Sequence, residues 1–227
     1  MSEGNEGSGF RVEVMVEAPR DVVVRALSDP AEIRRWFGWD YKGIADEIRY
    51  IFVDHATPGE LGGNWTLAMD NGHTIELVTD GPRTIVRVFQ PGPLADASWD
   101  DVYDEQVQGW HVFVQQLKHY LERHADEDRR TLYIEGTAPA ATVVAALDAE
   151  FGGLPQFVGR HQWITPISRY GNGLISILAT APLASDAPDR MQVTVTTYGL
   201  SDAAFAENRA DWDTRWSALA QDPKITP

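Results

Sequence analysis

Residues 16–38 read Val-Glu-Ala-Pro-Arg-Asp-Val-Val-Val-Arg-Ala-Leu-Ser-Asp-Pro-Ala-Glu-Ile-Arg-Arg-Trp-Phe-Gly, and they contain signals for the end of a strand and for the starts and ends of helices. Apolar residues alternate with mostly charged ones up to Val16, which predicts a half-buried strand. Pro19 is suited to the start of a first helix, and Asp29 followed by Pro30 has the form of a helix cap for a second. Gly38 can adopt the left-handed conformation that ends this second helix. The stretch therefore predicts a strand followed by two short helices.

A shortened echo of this stretch returns at residues 137–152, which read Thr-Ala-Pro-Ala-Ala-Thr-Val-Val-Ala-Ala-Leu-Asp-Ala-Glu-Phe-Gly. With an offset of 120, Ala18, Pro19, Val23, Val24, Ala26 and Leu27 coincide with Ala138, Pro139, Val143, Val144, Ala146 and Leu147. The echo favours an internal duplication, although chance recurrence in a chain rich in Ala and Val stays open. From the proline to the tryptophan of the last helix, the second copy is 18 residues shorter, so we expect it to lack a hairpin.

Between the two copies the chain alternates in the manner of an antiparallel meander. Four segments have strand patterns: 48–53, 64–69, 74–78 and 84–89. Asn71-Gly72 suits a type I′ hairpin turn between the middle two. A long helix is predicted from about Asp100, with an apolar stripe formed by Val107, Trp110, Phe113, Val114, Leu117, Tyr120 and Leu121. Strands near 162–164, 174–179 and 191–198 and a final helix through Trp212 complete the second copy.

Composition and charge narrow the function classes. The 227 residues are 43% hydrophobic with eight Trp, enough for a sizeable core, and contain no Cys. A formal charge of −15 without a basic cluster argues against nucleic acid and anionic membranes as partners. The acidic, Gly-rich start does not resemble a signal peptide, and no apolar run approaches the length of a membrane span. We therefore expect a cytoplasmic protein, and leave a homodimer open.

The order of strand, two helices, meander and long helix is that of the helix-grip fold. Val16-Glu-Ala-Pro, Ala26-Leu-Ser-Asp-Pro-Ala-Glu, Arg35-Trp-Phe and Gly109-Trp110 resemble the SRPBCC (START-like) superfamily, in particular the branch of the activator of heat-shock protein 90 ATPase. The resemblance implies an α+β fold in which a curved antiparallel sheet wraps a long C-terminal helix around an apolar cavity. Superfamily members include lipid carriers, cyclases and chaperone partners, so the fold does not select a function.

The resulting organisation is two tandem units. We expect a disordered leader at 1–9, a helix-grip domain at 10–124, a linker at 125–130, a shortened repeat at 131–221 and a tail at 222–227. The repeat is expected to depend on the first unit, since a smaller sheet leaves apolar surface for the first unit to cover.

The predicted pocket lies between the first sheet and the long helix. Its expected wall consists of Trp36, Trp65, Leu67, Arg87, Trp110, Phe113 and Leu117, although aromatic residues at such spacings are more often plain core. Arg87 either faces the cavity, where it would bind a carboxylate or enolate, or lies solvated on the outer face, which we favour.

The sequence contains no clear catalytic or metal-binding motif. His111, His119 and His124 are spaced by eight and five, which does not place two on one helical face as a metal site requires. No nucleophile or phosphate-binding motif is present, so we expect no metal and no cofactor. The sequence favours a protein that binds an apolar or amphipathic small molecule without chemistry; an aromatase/cyclase-like enzyme and a chaperone-partner module are the alternatives.

Overall fold

Two antiparallel sheets and their helices make up the computed structural model, which describes residues 11–90 and 105–226. The first unit contains β1 (Arg11–Val16), α1 (Arg20–Ser28), α2 (Pro30–Ile33), α3 (Ile44–Arg49), β2 (Ala56–Leu61), β3 (Asn64–Met69), β4 (Thr74–Asp80), β5 (Arg83–Phe89) and α4 (Glu105–Arg123). Its strands lie in the order β1-β5-β4-β3-β2. Residues 100–104 of the predicted long helix and the predicted leader lie outside the described residues.

The second unit repeats this plan. It contains β6 (Arg129–Pro139), α5 (Ala140–Phe151), β7 (Phe157–Val158), β8 (Gln162–Pro166), β9 (Leu174–Ala179), β10 (Pro188–Tyr198), α6 (Asp202–Leu219) and β11 (Gln221–Thr226). The strand order is β11-β6-β10-β9-β8-β7, which is the order of the first sheet with one strand added beside β6. The predicted α+β class with two tandem sheet-and-helix units is therefore confirmed.

The expectation that the second unit has lost a hairpin is wrong. Every strand of the first sheet has a counterpart in the second. The shortening lies instead between the first and second strands, where 39 residues (17–55) separate β1 from β2 but only 17 (140–156) separate β6 from β7. The second unit has one helix in this interval, whereas the first has α1, α2, α3 and a π-helical turn.

The strand predicted at 48–53 is also wrong. These residues form the end of α3 and a π-helical turn (Tyr50–Asp54). Ile48 and Phe52, four residues apart, are 2% and 4% exposed, whereas Tyr50 is 59% exposed. An apolar run of this length fits either a strand or a helix, and burial of these two side chains on one helical face decides it.

The ends of the second unit also differ from the expected boundaries. Residues predicted as a tail belong to β11, which pairs antiparallel with β6. Arg129 and Arg130, assigned to the linker, begin β6 and pair with the end of β10. Other local predictions are confirmed: the Asp29 side chain caps α2 by accepting a hydrogen bond from the Ala31 amide at 2.9 Å. Gly38 has φ +62° after that helix.

Helix α4 lies between the two sheets. Its apolar side, with Trp110, Val114 and Leu117, belongs to the core formed with the first sheet and α1. Its other side contacts β8 and β9 of the second unit. The opposite face of the second sheet is covered by α5 and α6, which bury Trp212 and Trp216 completely. The second sheet is thus buried on both faces, one of them by the first unit.

Candidate functional site

A cavity of about 550 Å³ lies where α4, the segment after α2 and the second sheet meet. It is lined by Phe37, Gly38, Trp39, Tyr41, Glu47, Ile51, Asn71, His73, Gly109, Trp110, Val112, Phe113, Gln116, Tyr133, Ser176, Leu178, Arg190, Gln192 and Thr194. The volume falls in the range of small-molecule sites in proteins. The cavity is therefore displaced along the surface of α4 from the position predicted, because the first sheet and α4 close on each other as packed core.

Aromatic rings form one part of the wall. Phe37 packs against Phe113 with ring centroids 4.6 Å apart, and Phe113 meets Trp110 edge-on at 5.9 Å. Trp39 stacks on Tyr133 of β6 at 4.3 Å with an interplanar angle of 14°. These contacts fix the ring planes, so this part of the wall is a rigid apolar surface.

Polar side chains from the second sheet form the facing part. Strand alternation directs Ser176 and Leu178 of β9 and Gln192 and Thr194 of β10 to the same face of the sheet. Thr194 is 8% exposed and Ser176 is 5% exposed. The cavity wall therefore combines aromatic rings with hydroxyl and amide groups, and the Arg190 side chain of β10 lies on the same sheet face.

Gln116 lines the cavity from α4 and is held in one orientation. Its Oε1 accepts hydrogen bonds from Arg129 Nη1 at 3.1 Å and from Thr196 Oγ1 at 3.0 Å. Its Nε2 makes a long contact of 3.5 Å to the Gly38 carbonyl oxygen. Since the Arg129 guanidinium can only donate, exchanging the amide oxygen and nitrogen of Gln116 would lose the bond to Arg129.

Arg129 lies behind this part of the wall. The Arg129 guanidinium donates to the carbonyl oxygens of Phe37 at 2.6 Å and Gly38 at 3.1 Å. Arg129 is 7% exposed, and burial lowers the pKa of its guanidinium, against the effect of Asp40. The Asp40 carboxylate is itself bonded to Arg34 at 2.5 Å and to the Thr131 amide at 2.7 Å.

Further titratable side chains line the cavity, among them Tyr41, Glu47, His73 and Arg190. The Tyr41 hydroxyl donates to Glu47, and burial together with that hydrogen bond raises the pKa of Tyr41 to about 12. Tyr41 thus remains a protonated phenol at neutral pH. His73, 3% exposed, lies beside Trp110 with ring centroids 5.8 Å apart.

Only some of the residues predicted for the pocket wall line the cavity. Trp110 and Phe113 line the cavity. Trp36, Leu67 and Leu117 are between 1% and 4% exposed within the core of the first unit. The Trp36 indole also donates to the Ala26 carbonyl at 2.8 Å, which explains its burial without a ligand. These three positions are therefore core.

Trp65 and Arg87 lie apart from the cavity. Trp65 is half-buried and lines a shallow groove beside α1 with Asp21 and Val24. Arg87 lies on the outer face of the first sheet, since its neighbours Val86 and Val88 are fully buried on the inner one. There it pairs with Glu13 at 2.7 Å and Glu76 at 3.3 Å. Its assignment to the wall is thus wrong, and the outer-face alternative is correct.

His119 and His124 come close together, although their spacing in sequence predicted that they would not. His119 and His124 lie 5.0 Å apart between ring centroids, because His124 follows the end of α4 and is no longer bound to helical spacing. Both Nε2 atoms contact the Asn172 carbonyl oxygen of the second unit at 2.9 Å. Within the described part of the chain, no group of three or more metal-ligating side chains converges.

Sequence reasoning missed the polar side of α4. This side carries Gln108, His111, Gln115, Gln116 and His119. The last four reach the second unit with their side chains, whereas Gln108 accepts a bond from Gln162 through its backbone carbonyl oxygen. Polar residues on a helix are expected to be solvated, but this row at helical spacing contains no charge. An uncharged polar row on a long amphipathic helix was the signal that the helix has a second buried face.

Comparisons with known proteins add little to this geometry. No family model matches the sequence, and no curated protein is significantly similar to it. A solved structure of StfQ, a di-domain aromatase/cyclase from the steffimycin biosynthetic pathway, matches with 12% identity, covering 88% of this chain and 92% of that one. Its TM-score of 0.26 is too low to bear on fold or function. No helix in the described ranges is long and apolar enough to cross a membrane.

Proposed function

We propose that the protein binds an apolar or amphipathic small molecule in the cavity between α4 and the second sheet. The observation that carries this proposal is the mixed wall of the cavity, which places packed aromatic rings close to hydroxyl and amide groups. An amphipathic ligand gains from burial against the rings, while its polar end replaces water at the sheet.

The test uses N-phenyl-1-naphthylamine, an uncharged aromatic probe whose fluorescence rises when it leaves water. Leu178 lines the cavity and is half-buried, so Leu178→Trp fills the space with little change in character. Leu61→Trp is the matched control, since Leu61 is 57% exposed on β2 and does not line the cavity. We expect wild type and Leu61→Trp to bind alike, and Leu178→Trp to bind about tenfold more weakly or worse.

Two results would end this proposal. Either wild type shows no saturable binding of the probe, or Leu178→Trp binds it as wild type does while remaining folded. Circular dichroism melts of both Trp variants establish that each is folded.

An enzyme of the cyclase type is the second candidate, and His73 is the observation that favours it, because a titratable imidazole faces the same cavity. The two functions differ in the fate of the ligand. A ligand that co-purifies, is displaced by the probe and is incubated again with fresh protein should return with unchanged mass if the protein only binds it. Loss of water on incubation, abolished in His73→Gln, would favour the enzyme.

A further inference from the structure

The polarity of the Gln116 amide determines what the cavity can recognise. Arg129 and Thr196 both donate to Oε1, so the amide nitrogen is the atom left to face other groups. Nε2 carries two protons, and its contact within the described residues is the one to Gly38 at 3.5 Å. That carbonyl also accepts the shorter bond from Arg129 at 3.1 Å. Gln116 can therefore donate at least one strong hydrogen bond to a molecule in the cavity.

The positive charge of Arg129, which lies behind Gln116, also favours an oxygen that carries negative charge. Arg129 makes three hydrogen bonds to neutral oxygens. No carboxylate of the described chain lies within ion-pair distance of it, and Asp40 acts on it only from farther away. A buried cation without an ion pair is costly, and it favours an anion placed nearby in the same poorly solvated region. It also polarises the Gln116 amide, which strengthens Nε2–H as a donor.

We infer that the cavity selects ligands carrying an ionised or carbonyl oxygen, which Gln116 Nε2 binds and Arg129 stabilises from behind. This inference rests on the proposed function and names its ligand class: an aromatic or polycyclic carboxylate, phenolate, enolate or ketone. Arg129 is a positioning residue, because it acts through Gln116. The selectivity is local, since the chain as a whole carries a charge of −15 and repels anions.

Two fluorescent probes that differ by one anionic group test the preference for a charged oxygen. 8-Anilinonaphthalene-1-sulfonate has the skeleton of N-phenyl-1-naphthylamine with one sulfonate added, so the ratio of their dissociation constants measures the preference for an anion. The uncharged probe is more apolar and is not repelled by the net charge. A protein without a local anion site should therefore prefer the uncharged probe. We expect wild type to bind the sulfonate at least as tightly.

The variant Gln116→Glu should reverse the preference of the cavity for an anion. Its carboxylate can keep the bond to Arg129, cancels that charge and replaces the Nε2 donor with an acceptor. Gln221→Glu is the matched control, because Gln221 is exposed on β11, does not line the cavity and undergoes the same change in charge. We expect Gln116→Glu to weaken sulfonate binding relative to the uncharged probe by about tenfold or more, and Gln221→Glu to leave the ratio unchanged.

The outcomes separate this inference from the proposed function. If neither probe binds wild type, the cavity proposal fails first and this inference with it. If wild type binds the uncharged probe about tenfold more tightly than the sulfonate, the inference is wrong even when the cavity is real. An unchanged ratio in a folded Gln116→Glu would overturn it as well. Should that variant not fold, Gln116→Leu removes the donor without adding charge, and the ratio in that variant decides the matter.

Discussion

Replacing His119 by Gln should make the protein more resistant to mild acid. His119 is 1% exposed, with Nε2 bonded to the Asn172 carbonyl oxygen at 2.9 Å and Nδ1 without a partner in the described chain. Burial, together with nearby His124 and Arg123, lowers the pKa of His119 from 6.5 to about 4. The Gln side chain can place its amide nitrogen close to the position of Nε2 and keep the bond to Asn172 without titrating.

Acid lowers the free energy of unfolding because the unfolded chain binds more protons than the folded chain. Above the unfolded pKa of 6.5, His119 is neutral in both the folded and the unfolded chain and contributes nothing to pH dependence. As the pH falls toward 4, the unfolded chain takes up a proton that the folded chain refuses, so the free energy of unfolding decreases. Between about pH 7 and about pH 5 the loss from this one group amounts to about 2 kcal/mol.

Urea denaturation at these two pH values measures the effect. Wild type and His119→Gln should lose different amounts of unfolding free energy on acidification, with the variant losing about 2 kcal/mol less. Other titrating groups, including the half-buried His111 with its pKa lowered to about 4, act in both proteins and cancel in the comparison. Equal losses in the two proteins, with unchanged denaturant slopes, would show that His119 titrates in the folded state as it does in the unfolded chain.

Three other perturbations have defined outcomes. Leu117→Phe should lower the free energy of unfolding by about 1–3 kcal/mol, because Leu117 is 1% exposed in the core, and it should not alter binding of the uncharged probe. A melting temperature near that of wild type together with weakened probe binding would place Leu117 at the cavity instead. Residues 131–227 expressed alone should aggregate or self-associate, because α4 no longer covers one face of the second sheet; sedimentation showing a stable monomer with a cooperative melt would contradict this. Arg87→Gln should cost at most about 1 kcal/mol in thermal unfolding and leave probe binding unchanged, since its ion pairs lie on a partly exposed sheet face; a change in probe affinity would refute that placement.

The local structure was predicted well from the sequence because local interactions determine it. Asp29 caps α2 through its own neighbouring amide, and the apolar stripe of α4 packs on the first sheet. The echo around Pro139 predicted a second unit, which the matching strand order confirms. Each of these inferences depends on residues close in sequence or on repetition of a pattern.

The tertiary structure decided which surfaces meet, and so where the cavity lies. Residues 48–53 are helical because Ile48 and Phe52 are buried together, a choice that their apolar pattern left open. The polar side of α4 is buried because the second sheet supplies partners for it, as Thr196 does for Gln116. Hydrophobic periodicity identifies a helix's apolar side, but burial of a polar side depends on hydrogen-bond partners that are distant in sequence. The cavity lies where that polar side meets the aromatic residues of α4, since both Gln116 and Trp110 line it, between two units whose contact only the folded chain could establish.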